Sequence, residues 1–268
     1  MELKKLHYGV IDGIATIAMD YQKNLNAIDE EMADELIHAI ERAEGDPKAK
    51  VVVLKGSPRA FSAGGDISYF YELIKTGGEI NMDGLIGKVG KITNGLKSMS
   101  KVVIAEVSGA AAGAGFSLAL SADFIVAADN AKFIMAFVNL GLVPDTGGAY
   151  LLAKSIGEKR AMELCITGRP VRAQEAKDLG FVYKVVPADE LGAEVDALAH
   201  KLAAGPLLSY KDIKRQIYSA AFSDYERFLD KTEVPTQHEC SNTKDFIEGC
   251  SAFMEKRAPQ FKIGRAHV

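Results

Sequence analysis

The sequence has no tryptophan, few cysteines, no surplus of positive charge and no long apolar run, and each shortage excludes something. Its three cysteines, Cys165, Cys240 and Cys250, are odd in number, far apart and outside metal-ligand spacing. They offer neither a disulfide framework nor a zinc site, so packing in a reducing compartment is expected for each. Lys+Arg 32 against Asp+Glu 36 gives a net charge of −4, too little positive field to draw nucleic acid or an anionic membrane. No segment approaches the ~20 apolar residues of a membrane span, and MELKKLHYGV lacks the apolar core of a signal peptide. A cytoplasmic protein with neither nucleic-acid nor membrane partners is the expectation. Low-complexity segments and fixed-period solenoid repeats are also missing, and the terminal GRAHV is too short to interpret.

What is present suits 268 residues folding as one elaborate domain, or as a domain with an appendage. Residues 9 to 19 place apolar runs on either side of Asp12-Gly13, a tight hairpin signal. From Asp29 to Ala43, Met32, Leu36, Ile37 and Ile40 recur at helical spacing, with Asp29 as N-cap and Gly45 just past the end. VVVLKG (51 to 56), KVVIAEVSG (101 to 109) and DFIVAAD (123 to 129) are short β-branched runs that read as buried strands. Strand alternating with helix predicts an α/β core with parallel strands. A short strand at KFIM, helices over 146–156 and 171–179, and a helical tail punctuated by Pro206, Pro235 and Pro259 complete the pattern. The predicted division is a core over 1–195 and a helical C-terminal region over 196–268.

Three glycine-rich turns concentrate the chemistry: AFSAGGDI (60 to 67), SGAAAGAGFS (108 to 117) and LGLVPDTGGAY (140 to 150). Each pairs small residues with a following helix, which leaves backbone N–H groups free for an anion or a polarised oxygen. One reading is a dinucleotide fold: Gly109, Gly113 and Gly115 follow a strand, and Asp129 ends the next one. Tyr71 with Lys75, and Tyr210 with Lys214, imitate the Tyr-x-x-x-Lys pair of short-chain dehydrogenases. Against an NAD(P)-dependent dehydrogenase, the glycines begin a hundred residues into the chain and the helix before Asp123 is short for a crossover. Both Tyr-Lys pairs then read as ordinary helix-surface residues.

The motifs NLNAID, AFSAGGDI, SGAAAGAG, ADFIVAAD, GLVPDTGG and GRPVRAQEAKDLGFVYKVVP, with the terminal DFIEGCSAFMEKRAPQF, together resemble the crotonase superfamily of enoyl-CoA hydratases and isomerases over nearly the whole chain. The resemblance implies an α/β spiral of ββα units, a helical C-terminal region supporting homotrimers or dimers of trimers, and an acyl-CoA substrate. It implies no metal and no cofactor beyond the coenzyme A of the thioester. It also implies an enolate held by two backbone N–H groups, those of Ala63 and Ala114, and a substrate- and CoA-binding surface from Asn24, Asn26, Ala27, Ala63, Gly64, Gly65, Asp66, Ile67, Gly113, Gly115, Ser117 and Phe137. Such preorganised donors stabilise an enolate more than its ground state, each contributing ~2.7–4 kcal/mol.

The chain departs from the hydratase pattern where that pattern places two glutamates. Aligned on the glycine turns, these positions hold Ser117 and Phe137. Neither side chain can act as a general acid or base near neutral pH without a partner. Asp145 remains. Position alone makes it an N-cap, whereas the close similarity of VPDTGG to the epoxyphenylacetyl-CoA isomerase group makes it the catalytic acid–base. A single carboxylate suits isomerisation, because it can take a proton from one carbon and return it to another. Apolar Phe137, Leu140 and Val143, if close, would raise its pKa. Ser117 is then a bystander or a water-positioning group beside the substrate.

The aromatic run Tyr69, Phe70 and Tyr71 is read as packing, with a share in the acyl pocket, and Asp66 as a turn or cap residue. Lys256 and Arg257 are either phosphate contacts or a solvated helix end. His7, His38, His200, His238 and His267 lie outside the turns and receive no role. An acyl-CoA isomerase is the reading. The alternatives are a specialised enoyl-CoA hydratase or ring hydrolase, and a non-catalytic CoA-binding protein. A dehalogenase is disfavoured by the missing tryptophan and histidine base, and RNA binding by the acidic helix over 29–43.

Overall fold

The computed structural model describes residues 2–262, so GRAHV and His267 lie outside the described residues. Among the described residues ten strands form two sheets. The strands are β1 (Leu6–Ile11), β2 (Ile14–Met19), β3 (Val51–Lys55), β4 (Ala60–Ser62), β5 (Val102–Val107), β6 (Ala110–Ala112), β7 (Phe124–Ala128), β8 (Lys132–Ile134), β9 (Pro170–Arg172) and β10 (Lys184–Val186). The larger sheet runs β1-β2-β3-β5-β7-β10 and the smaller β4-β6-β8-β9. Beyond the antiparallel β1–β2 hairpin the larger sheet is parallel. The expected hairpin turns at Asp12 and Gly13, both with positive φ.

The strand pairs β3–β4, β5–β6 and β7–β8 each send their first strand to the larger sheet and their second to the smaller, and each is followed by a helical segment. This is a spiral of ββα units. β4 and β6 occupy residues that the sequence presents as glycine turns. They are three-residue strands, Ala-Phe-Ser and Ala-Ala-Ala, too short to show a period of two.

Alternation along the parallel strands divides the core. Val51, Val53, Ile104 and Val126 face one way, where Leu191, Val195, Ala199 and Ala203 of the helix Leu191–Ala203 cover them. Val52, Leu54, Val103 and Ala105 face the other way, into the main core with the helices Glu30–Gly45 and Asp83–Ser98. Strands covered on both faces have no need of polar positions, hence their unbroken apolar runs.

Asp29 caps the helix Glu30–Gly45, its side chain accepting from Met32 N at 2.9 Å. Gly45 is that helix's last residue and Asp46 ends it. The helix expected over 146–156 starts later, at Gly148, because Thr146 (φ 58) and Gly147 (φ 73) are left-handed. The helix expected over 171–179 is Ala173–Leu179, since Val171 pairs with Phe133 in the small sheet. No described helix is long and apolar enough to cross a membrane.

Candidate active site

The three glycine turns converge on a cavity of about 520 Å³. One wall is the segment 23–28. Another is the turn after β4 with the helix Ile67–Thr76, and a third is the turn after β6 with the 3-10 helix Ala136–Leu140. Met82, Leu85, Ile86 and Val89, on one side of the helix Asp83–Ser98 and its N-cap, make the remaining surface apolar. Of the residues expected at a thioester site, Asn24, Ala27, Ala63, Gly65, Asp66, Ile67, Gly113, Ala114, Phe137 and Asp145 line it. Asn26, Gly64, Gly115 and Ser117 do not.

Each absentee has a physical reason. Asn26 is fully buried: it accepts from Tyr21 N at 2.8 Å and donates to the carbonyls of Ala60 and Phe61. It therefore fastens the 21–26 turn to β4. Gly64 takes φ 91, and a Cβ there would lie 2.6 Å from the Ala112 carbonyl oxygen and 3.4 Å from Ala114 N. Only glycine lets the two turns approach this closely. A Cβ on Gly115 would meet Ser62 O at 2.5 Å, so this glycine serves helix-to-strand packing. Asp66 does cap its helix, its Oδ1 accepting from Ser68 N and Tyr69 N and its Oδ2 from Asn24 Nδ2.

The two expected backbone donors fare differently. Ala114 opens the helix Ala114–Leu120, so its N–H has no intrahelical acceptor, and it faces the cavity with the partial positive end of the helix. The Ala63 N–H is already committed, donating to the Leu25 carbonyl at 3.0 Å. That corrects the expectation for Ala63. Two residues on, the Gly65 N–H has no acceptor among the described residues and lies in the same cavity wall. The free pair is therefore Gly65 and Ala114.

Asp145 is partly buried at the cavity wall and does not cap the following helix, whose N-cap is Gly147. Its Oδ1 accepts from the Thr146 hydroxyl at 2.7 Å and its Oδ2 from Gln237 Nε2 at 2.9 Å. Both bonds favour the carboxylate, but burial outweighs them and pushes its pKa up to about 6. Phe137, Leu140 and Leu142 line the cavity with it, whereas Val143 instead meets Gln237, its N–H donating to Oε1.

Ser117 is fully buried behind this wall and donates to the backbone carbonyls of Gly113, at 3.4 Å, and Asp145, at 3.2 Å. It is a strut between two turns, out of reach of the cavity.

Glu233 and Gln237, in the C-terminal helices, were not legible as site residues. Their spacing of four puts them on one helical face, but nothing in the sequence says that this face meets residues 145 to 147. Lys23, exposed at the cavity rim, was likewise unmarked.

Other candidates dissolve into local structure. Arg257 pairs with Glu248 at 2.6 Å and with Glu255, a charged helix end. Lys75 lies over the Tyr71 ring and bonds Glu72. Lys214 is not free at the surface, since it is half-buried against Asp123 at 2.6 Å and bonds the Lys101 carbonyl, holding its helix to the core. His238 links Glu79 and Asp83. Phe70 is buried and lines the cavity, with Tyr69 packed on it.

Two sheets joined in ββα units, with unpaired backbone donors and one burial-shifted carboxylate around an apolar cavity, define the crotonase class of fold. The chain belongs to the enoyl-CoA hydratase/isomerase family, whose profile matches residues 10–264. It is 34% identical over 261 residues to a trans-2-decenoyl-[acyl-carrier-protein] isomerase of Streptococcus mutans, covering 97% of this chain and 99% of that one. It is 35% identical over 250 residues to a 1,2-epoxyphenylacetyl-CoA isomerase of Escherichia coli, covering 93% and 95%. The crystal structure of an enoyl-CoA hydratase from Mycobacterium avium subsp. paratuberculosis superposes with a TM-score of 0.89 at 31% identity, covering 97% of this chain and 100% of that one. Membership implies an acyl-CoA thioester as the substrate class, and the relatives include both isomerases and hydratases.

Proposed function

We propose that the chain is an acyl-CoA isomerase that moves a double bond, or rearranges a ring, through a thioester enolate. The observation that carries this reading is Asp145: of the two carboxylates lining the cavity, Asp66 is committed to capping the helix Ile67–Thr76, whereas Asp145 caps no helix and is raised by burial to about 6, which suits it to proton transfer. With the thioester oxygen between the Gly65 and Ala114 N–H groups, removal of the neighbouring proton puts charge where two fixed donors await it. Asp145 takes that proton and returns it to another carbon, ending in its starting state. A pKa of about 6 leaves it mostly ionised near neutral pH, and more basic than an ordinary carboxylate. The reaction needs no metal and no redox group.

Hydration by two glutamates lacks both groups, since Ser117 is sealed behind the wall and Phe137 is apolar. The family's homotrimers or dimers of trimers are also proposed here. Helix Leu207–Ala221 buries none of its residues in the chain and exposes Leu208, Ile213 and Ile217, of which Ile213 and Ile217 share one side, apolar surface that suits a subunit contact.

Purified protein mixed with a 3-enoyl-CoA should develop the ultraviolet band of the conjugated 2-enoyl product without change of mass, and Asp145→Ala should abolish it. A product heavier by one water would instead indicate a specialised hydratase.

A further inference from the structure

Glu233 takes no part in the chemistry above, yet it is only 2% exposed. It ends a π-helical turn, Leu229–Glu233, a wider turn of a kind frequent at functional sites. Both its carboxyl oxygens accept from the Gly147 N–H, at 3.1 and 2.8 Å. Thr146 and Gly147 are consecutive left-handed residues, a conformation that turns successive N–H groups into one concavity. The same Thr146 bonds the Asp145 carboxylate through its hydroxyl. One helical turn beyond Glu233, Gln237 donates to the other Asp145 oxygen.

We propose that Glu233 is a positioning residue: it locks the left-handed backbone after Asp145, so that the Asp145 carboxylate stays directed at the bound thioester. This rests on Asp145 being the proton shuttle. Left-handed Thr146 is a strained conformation for a β-branched residue, and it persists only where surrounding groups hold it.

Glu233 fits this task in its uncharged form. Burial, then the nearby charge of Asp145, push its carboxyl up to about 9. At neutral pH the pair therefore carries one negative charge, and that charge sits on Asp145. Among the described residues no cation offsets it. The Tyr225 hydroxyl is turned to Thr93, and Glu226, Arg227 and Glu239 on the adjoining turns are exposed. His238 is engaged with Glu79 and Asp83, and Lys88 of the helix Asp83–Ser98 with Glu30 and Asp34. Ionisation of Glu233 in alkali places a second buried charge beside the first and loosens the turn.

The test compares wild type with Glu233→Gln and Glu233→Leu in steady-state pH profiles, and follows the carboxyls of substrate-free protein by carbon-13 NMR. Glutamine keeps an acceptor for Gly147 without a charge. It should retain most of kcat and lose the alkaline fall that wild type shows near 9. Leucine should lower kcat about 100-fold with little change in KM, the signature of a misplaced group rather than of lost binding. In the NMR titration the Asp145 inflection should stay near 6 in the glutamine variant and move in the leucine variant.

Glutamine as damaging as leucine, an alkaline fall that persists in the glutamine variant, or an Asp145 inflection identical in all three proteins would overturn the proposal. If the leucine variant does not fold, the alkaline limb of the glutamine variant decides. If wild type proves to have no isomerase activity, that reading falls separately, and the NMR arm still decides whether Glu233 positions Asp145.

Discussion

Asp145→Asn should abolish the reaction and, at alkaline pH, make the protein more stable. The carboxyl has a pKa of 3.8 in the open chain and about 6 in the fold. A group whose pKa is raised by folding contributes its full stability below the unfolded value, and that contribution is lost as pH rises through the folded value. Between pH ~4 and pH ~8 wild type therefore loses up to about 3 kcal/mol at this one site, whereas a neutral asparagine loses nothing. The figure is an upper one, because Asp145 borders a cavity that admits water. Asparagine also satisfies the two donors less well. Its single oxygen serves either Thr146 or Gln237, and turning the Gln237 amide round forfeits the acceptor for Val143 N–H, at a cost of about 1 kcal/mol. A net gain of about 2 kcal/mol, or about 5 °C in Tm, is expected at pH ~8, and a net loss of about 1 kcal/mol at pH ~4. Thermal melts followed by circular dichroism at the two pH values measure it, while kcat should fall at least ~100-fold. An asparagine variant no more stable than wild type at the higher pH, or a difference equal at both, would refute burial as the cause of the raised pKa.

The kcat/KM of wild type should rise with pH through an inflection near 6 as Asp145 loses its proton; a profile flat across that range would exclude it as the base. Gln237→Leu removes a donor to the ionised form, so the same inflection should move upward, with a stability loss of about 1–3 kcal/mol; an unmoved inflection would show the bond to be electrostatically idle. Ser117→Ala breaks the strut between the Gly113 and Asp145 carbonyls, and should cost about 1 kcal/mol in denaturant unfolding and lower kcat more than KM. An effect confined to KM would mean that the serine touches substrate after all.

What the residues disclosed depended on how local the cause was. β3, β5 and β7 were legible because strands buried on both faces must be apolar throughout. β4 and β6 were not, because Ala-Phe-Ser and Ala-Ala-Ala beside glycine carry no periodicity, and only pairing with each other makes them strands. Asp145 could be singled out as a carboxylate in a constrained turn, yet its cap role was misread, since left-handed Thr146 and Gly147 delay the helix to Gly148. The oxyanion donors show the limit most sharply. Which N–H is free depends on a carbonyl far away in the chain, and the Leu25 carbonyl takes Ala63 and leaves Gly65.

The grip on Asp145 comes from farther still, from Glu233 to Gly147 across 86 residues and from Gln237 to Asp145 across 92. These contacts explain why the two positions without glutamates are more than losses. A Cβ built on Gly148 would lie 2.5 Å from the Ser117 hydroxyl, so a longer side chain at 117 has no room behind the wall. Likewise, the Phe137 ring lies 3.7 Å from where a Cβ on Gly113 would be. In place of two acids around a water there is a hydroxyl strut and an aromatic ring. Neither brings a second charge to the wall, and burial in that wall is what raises the pKa of the one carboxylate that remains.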